Sequence, residues 1–373
     1  MKKSSMLLLA AGLTTGGAAF AQSNVTIYGI VDTSIHYLNN ANAKGNSNVR
    51  MDNGAIANSR LGFKGSEDLG GGLKAMFQLE NGFSSDNGAM LQGGSLFGRQ
   101  SWVGLQGAYG KVRVGRQNTP LFDLLADHFD PLTVGNYASN SWLPAAASLV
   151  RSPNMLRYDG QFGPVAASAS WAFGEKAGSI RTGSQFSSAL RYTAGPLSLG
   201  GGYQQTVSGT DSSLKDTVWN LSASYDFGVA KIFGGWINIK DRTGTTGAVM
   251  AADSDVSNTW TTASIPNNGT SAERKDNGFF LGSSYKATSA LTLTGAFYYD
   301  RSKNVSYVST GNVGDGKRYA VVGWADYALS KRTQLYTTVD YNKAKDAAVY
   351  ELTSSPSGKT SVTTVGVGIR HIF

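Results

Sequence analysis

Cysteine is absent from the 373 residues, which removes disulfides, thiolate metal sites and cysteine nucleophiles together. Histidine is scarce: His36, His128 and His371 are the only three, and no two are close in sequence. No HExxH, GxSxG or phosphate-binding loop occurs, and no metal-ligand spacing. We therefore expect neither an enzyme nor a cofactor. Charge is sparse at 16%, and the formal excess of +8 contains no basic run, so a nucleic-acid partner is not expected. Long hydrophobic runs are missing, and so are helices with apolar spacing at i, i+3, i+4, which a soluble chain of this size usually shows.

What the sequence does contain is glycine (47), tyrosine (17) and phenylalanine (16), spread along the whole length with only 8 prolines. The start, "MKKSSMLLLAAGLTTGGAAFA", runs from Lys2 and Lys3 through an apolar stretch to Ala19-Phe20-Ala21. That order predicts a cleavable secretory signal over 1–21, followed by one domain over 22–373. The apolar stretch is too short for a spanning helix, which needs about 20 residues. Without Lys2 and Lys3 the chain keeps 31 basic residues against 25 acidic, a net of +6.

About sixteen segments of roughly ten residues then alternate in character with period two. In "VTIYGIVDTSIHYL", Val25, Ile27, Val31, Ile35 and Tyr37 share one face, opposite Thr26, Tyr28, Asp32, Ser34 and His36. "VAASASWAF", "LTLTGAFYYD" and "LKAMFQLE" repeat the pattern. Connections alternate between short ones, such as 194–196 and 226–228, and long polar ones, such as 117–152, 241–274 and 301–317. A soluble β-sandwich would have to bury the charged second faces without partners. The conflict disappears when the apolar face meets lipid and the polar face lines water. Strands survive in lipid only with every backbone group paired, which requires a closed barrel. The expected fold is therefore all-β, a transmembrane antiparallel β-barrel with short periplasmic turns and long extracellular loops. Aromatics near strand ends, including Tyr37, Trp171, Tyr203, Tyr225, Tyr299 and Tyr341, suit interfacial girdles. The final "TTVGVGIRHIF" reads as the closing strand, with Phe373 on the face toward lipid.

The stretches "NVTIYGIVD", "SRLGFKGSEDLGGGLKAMFQLE" (59–80), "FGRQSWVGLQGAYGKVRVGRQ" (97–117), "ALSKRTQLY" (328–336) and "GVGIRHIF" resemble the general porins of beta-proteobacteria, including neisserial porins. The resemblance covers essentially the whole chain after the leader. It implies a 16-stranded homotrimer in the outer membrane of a Gram-negative bacterium, contacting lipid and lipopolysaccharide. It also implies passive diffusion of ions and small hydrophilic solutes past a third loop folded into the lumen. The terminal aromatic, Phe373, resembles a signal read by the outer-membrane assembly machinery. A solute-specific channel, or an adhesin or structural barrel, is the alternative.

The long connection 117–152 carries "PLFDLLADHFDP", the one stretch that reads as a helix. Asp123, Asp127 and Asp130 follow at i, i+4, i+7 as one narrow stripe. Leu121, Leu124, Leu125, Phe122 and Phe129 fill the broader face, and Pro131 marks the stop. Folded inward, such a helix would set its leucines on the wall and turn its aspartates to water; a capping helix outside is the other option. Arg60, Arg99 and Arg157 match positions of a lumen-facing basic ladder in related porins, and Lys64 and Arg113 join them by pattern. For Arg99, strict alternation with Val103 and Leu105 points outward, so a bulge or a place beyond the lipid band is required. Opposed charges at a constriction would filter solutes by charge, and the basic excess leans toward anions.

Overall fold

The computed structural model describes residues 24–42, 44–134, 142–148, 150–251, 272–307, 311–352 and 359–373. The expected leader, 1–21, lies outside them. The strands are β1 (Asn24–Leu38), β2 (Asn48–Asp52), β3 (Arg60–Gly70), β4 (Leu73–Gly82), β5 (Gln100–Gly107) and β6 (Gly110–Asn118). They continue as β7 (Arg151–Phe162), β8 (Val165–Ala172), β9 (Gln185–Ala194), β10 (Leu197–Val207), β11 (Lys215–Asp226) and β12 (Ala230–Asp241). The last five are β13 (Arg274–Lys286), β14 (Leu291–Tyr307), β15 (Gly311–Ala328), β16 (Thr333–Asp346) and β17 (Ser361–Ile372).

From β3 onward each strand pairs antiparallel with the next, and β1 closes the ring against β17, with Ile30 opposite Ile372 and Leu38 opposite Thr364. On its other side β1 meets β3 along its lower half and β2 along its upper half. β2 and β3 thus extend one stave between them, and the barrel has 16 staves. The amide and carbonyl of Phe373 pair with those of Gly29, both at 3.1 Å. Closure leaves no free edge, the condition for strands in lipid. No helix among the described residues is long and apolar enough to cross a membrane.

The alternation read from the sequence holds. On β1, Val25 and Ile27 are about 60% exposed, while Asp32 and His36 are wholly buried. The outward band of Leu, Val, Ile, Tyr and Phe continues around the ring. At the turn end, β7–β8 and β9–β10 are joined by Gly163-Pro164 and Gly195-Pro196. Their glycines have φ of 57° and 56°, which match the twist of a two-residue hairpin and which other residues adopt only with strain.

Two expectations about the long connections are corrected. The stretch 301–317 is mostly strand, because β14 reaches Tyr307 and β15 begins at Gly311. And "PLFDLLADHFDP" is not the only helix. α1 (Pro120–Leu124) is followed by a π-helical turn (Leu125–Phe129), α2 (Trp142–Ser148) and α3 (Thr245–Ala251), and Ala347–Glu351 forms a 3-10 turn.

Candidate functional site

The helix of the 119–150 connection starts where the sequence says it should. Thr119 caps it by accepting from the Phe122 amide at 3.2 Å, and Pro120 occupies the first turn, where its missing N–H costs nothing. Its apolar face is seated on the inner wall. Leu121, Leu124, Leu125 and Phe129 form one buried cluster with Ala189, Val218, Ile237, Ile239 and Phe280 of the facing strands. Glycines make the seat. A Cβ on Gly200 would lie 2.2 Å from the Phe129 ring, and one on Gly202 would lie 2.6 Å from Leu121 Cδ1. These small inward positions are therefore in part occupied by the loop.

α2 and α3 extend the same cluster through Trp142, Leu143, Val249 and Met250. Two buried arginines tie the pieces together. Arg318 of β15 donates to the carbonyls of Met250 (3.1 Å) and Glu351 (2.9 Å), and lies 4.5 Å from the Trp142 ring. Arg274 of β13 pairs with Asp276 at 2.8 Å and with Glu351. Three connections thus converge on two guanidiniums, whose fork geometry allows several acceptors at once. Sequence reasoning passed over both arginines.

The remaining lumen is lined by charge. A cavity of about 410 Å³ has Arg60, Arg99, Arg151 and Arg370 on its wall and Phe122, Ala126 and Asp127 on the loop side. Arg99 is buried with its Nε 2.6 Å from Glu80, because it precedes the first residue of β5 and escapes that strand's alternation. Arg60 donates to the Asn58 carbonyl at 3.1 Å, and Arg370 to Gln334. Arg151 and Arg370 were not singled out from sequence, although Arg370 falls on the small-and-charged face of the last strand and Arg151 opens the strand that carries Arg157.

The other expected residues are distributed differently. Arg157 meets one of the expected loop acids at close range. It bonds Asp123 directly at 2.6 Å and Asp159 at 2.6 Å, and so latches the loop helix to the wall beside it. Arg113 pairs with the same Asp159 at 2.7 Å and stacks on Trp102. Lys64 lies over the Tyr28 ring, 5.1 Å from its centre, and does not line the cavity with Arg60. Asp130 is the clearest correction. The π-helical turn breaks the 3.6-residue rotation, so Asp130 leaves the stripe, is buried, and accepts from Tyr298 Oη at 2.5 Å. It anchors the loop's far end and does not face water. Asp127 alone of the three borders the arginine-lined cavity. Lumen water reaches it, yet the wall encloses it. That enclosure, reinforced by Asp123 and only partly offset by Arg157, pushes its carboxyl up to about 6.

A closed barrel with a lipid-facing apolar band and a charged, water-filled interior is a channel of the bacterial outer membrane. The chain belongs to the Gram-negative porin family, whose model matches residues 7–347. It is 33% identical, over the full length of both chains, to outer membrane porin protein 32 of Delftia acidovorans. It is 38% identical to major outer membrane protein P.IB of Neisseria meningitidis serogroup A, over 33% of this chain and 36% of that one. Among solved structures, the anion-selective porin from Comamonas acidovorans superposes with a TM-score of 0.72 at 29% identity, over 94% of this chain and all of that one. The protein is an outer-membrane porin.

Proposed function

We propose that ions and small hydrophilic solutes cross the lumen passively with a modest preference for anions. The observation that carries this reading is the cavity in which four arginines face one loop carboxylate, Asp127. Fixed charges across a narrow passage bias the ions that enter without holding them, as diffusion requires. The solved relative called anion-selective supports the same sign here. On this reading Arg60, Arg99, Arg151 and Arg370 form the basic side of the constriction and Asp127 the acidic side. Arg113, Arg157 and Asp123 hold the loop in register, and Asp130 pins its end.

The test is the reversal potential of purified protein in a planar bilayer under a KCl gradient, comparing wild type with Arg60→Ala, Arg151→Ala and Asp127→Asn. Arginine removal should move it toward cations, and aspartate removal toward anions. If neither moves it, these residues do not line the ion path. We propose further that the native assembly is a homotrimer, and that Phe373, held in the ring by Gly29, is read by the assembly machinery. Deleting Phe373 should lower the yield of inserted protein while leaving the conductance of what inserts unchanged. Assembly at the wild-type level would remove that role.

A further inference from the structure

A second cavity, of about 390 Å³, lies between the loop helix and the turn end of β6–β9. One side of it is wall. Lys111 of β6 stands opposite Asp159 of β7, and Ala166 of β8 stands between Gln161 of β7 and Arg191 of β9. The other side is the helix, through Pro120, Leu124 and Asp127. Asp127 thus borders this cavity as well as the one lined by arginines.

Most of its charges are already matched. Arg157 bonds Asp123 and Asp159, each at 2.6 Å, and Arg113 bonds Asp159 at 2.7 Å. Two guanidiniums and two carboxylates therefore neutralise one another. Three charges are left over. Lys111 and Arg191 form no ion pair among the described residues, and Arg191 spends one donor on Thr193 Oγ1 at 2.8 Å. Asp127 is exposed to the lumen and its carboxylate accepts no hydrogen bond from the described residues. Arg191 and Asp127 line one space without closing on each other, one on a strand and the other on a seated helix. Rigid supports of this kind keep a gap with a cation at one end and an anion at the other. Ala166 and Ala189 are small and Leu124 is apolar, which leaves room for a short side chain. The volume is at the small end of ligand sites, roughly 300–1,000 Å³.

We infer that this cavity is a saturable subsite for a small zwitterionic amino acid, its carboxylate on the Arg191 guanidinium and its ammonium on Asp127. Lys111 adds to the attraction for the carboxylate. A simple anion would find the two cations but also the Asp127 carboxylate, and a simple cation would meet the reverse. A molecule with both ends matches all three groups. Charge-assisted hydrogen bonds at each end hold it, and the wet cavity lets it leave, as conduction requires. The inference rests on the reading of the chain as a solute channel and is independent of the sign of its ion selectivity.

The experiment records KCl current through the purified protein in a planar bilayer while L-serine, lactate or ethanolamine is added to each side in turn. The three are alike in size, and serine alone carries both charges. Serine should reduce the current along a saturating curve, and lactate and ethanolamine at the same concentrations should do so far less. Arg191→Gln and Asp127→Asn should each raise the half-blocking concentration of serine roughly tenfold or more, the worth of a hydrogen bond to a charged group. Lys331→Gln, which removes an exposed charge from a short turn, should leave it unchanged. Equal block by all three compounds, a reduction that never saturates, or a half-blocking concentration indifferent to both variants would overturn the proposal. If Arg191→Gln inserts poorly, Asp127→Asn decides the matter, because that exposed side chain has no bonded partner to lose. The reversal potential in the same recordings reports the ion reading separately, since a zwitterion adds no net charge to the path.

Discussion

Along β9–β15 the inward positions that meet the loop helices include Ala189, Gly200, Gly202, Val218, Ile237, Ile239, Ala296 and Val322, and three connections cover them with helices and turns. Along β1–β8 and β17 they include Asp32, Arg60, Glu80, Arg113, Arg157 and Arg370, which face the lumen or one another. Both arcs have the same alternation and the same lipid band outside, so the outer face cannot tell them apart. The difference lies in what the inner side chains can exclude. Small apolar residues leave room for Leu121 and Phe129 and bury them, while arginines hold water and repel an apolar helix. One arc narrows the lumen by filling it; the other sets the charge of what remains.

The comparison is broken most severely at the joint between the arcs' loops. Arg274→Met removes the partner of both Asp276 and Glu351 and leaves two buried carboxylates uncompensated. Breaking a buried pair in this way costs roughly 3–5 kcal/mol. The expected outcome is a lower thermal midpoint and a noisier open channel in bilayer recordings, as the covering connections loosen. A quiet channel with an unchanged midpoint would show that the apolar cluster suffices alone.

Overfilling the glycine seat is the next largest change. Gly202→Leu places a side chain where Leu121 Cδ1 already lies 2.6 Å from a Cβ position. Overpacking of this kind costs about 1–3 kcal/mol. The helix should be displaced toward the arginines, changing single-channel conductance while the barrel still migrates as a heat-modifiable species. Gln100→Leu, a change of nearly constant volume at a buried position of the charged arc, should leave conductance nearly as it is.

The barrel itself was legible because alternation is local. Each strand declares its two faces in ten residues, whatever its neighbours do. The helix at 120–129 was legible too, through its leucine spacing and its proline stops. α2 and α3 were not: "WLPAAAS" and "TTGAVMA" are short and carry no charged face, so burial against the wall and not propensity makes them helical. The aspartate stripe failed at Asp130 because it assumed one rotation per residue throughout, and a π-helical turn intervenes. Arg157 was placed on the correct face, but which acid it meets depends on how the loop lies across the barrel. Register between distant segments is not written in either segment alone.

The smallest expected effect is the sharpest probe of the charged arc. Asp127 borders the cavity of Arg60, Arg99, Arg151 and Arg370, and its carboxyl titrates at about 6, above the ordinary carboxylate value of 3.8. Above pH 6 it is ionised and opposes the arginines; as pH falls through 6 it is neutralised and the loop no longer opposes them. Anion preference should therefore rise on acidification between pH 7.5 and 5, a window in which arginine and the paired carboxylates do not change charge. A unit charge about 8 Å from the ion path is worth about 0.5 kcal/mol in water, roughly a twofold change in local ion concentration. Asp127→Asn should start at the acidic limit and stay flat across the window. It should also not lower the thermal midpoint at neutral pH, because a carboxyl raised by folding favours the folded state only when protonated, and that contribution is lost above pH 6. A wild-type reversal potential independent of pH would place Asp127 away from the ions and return the selectivity to the wall alone.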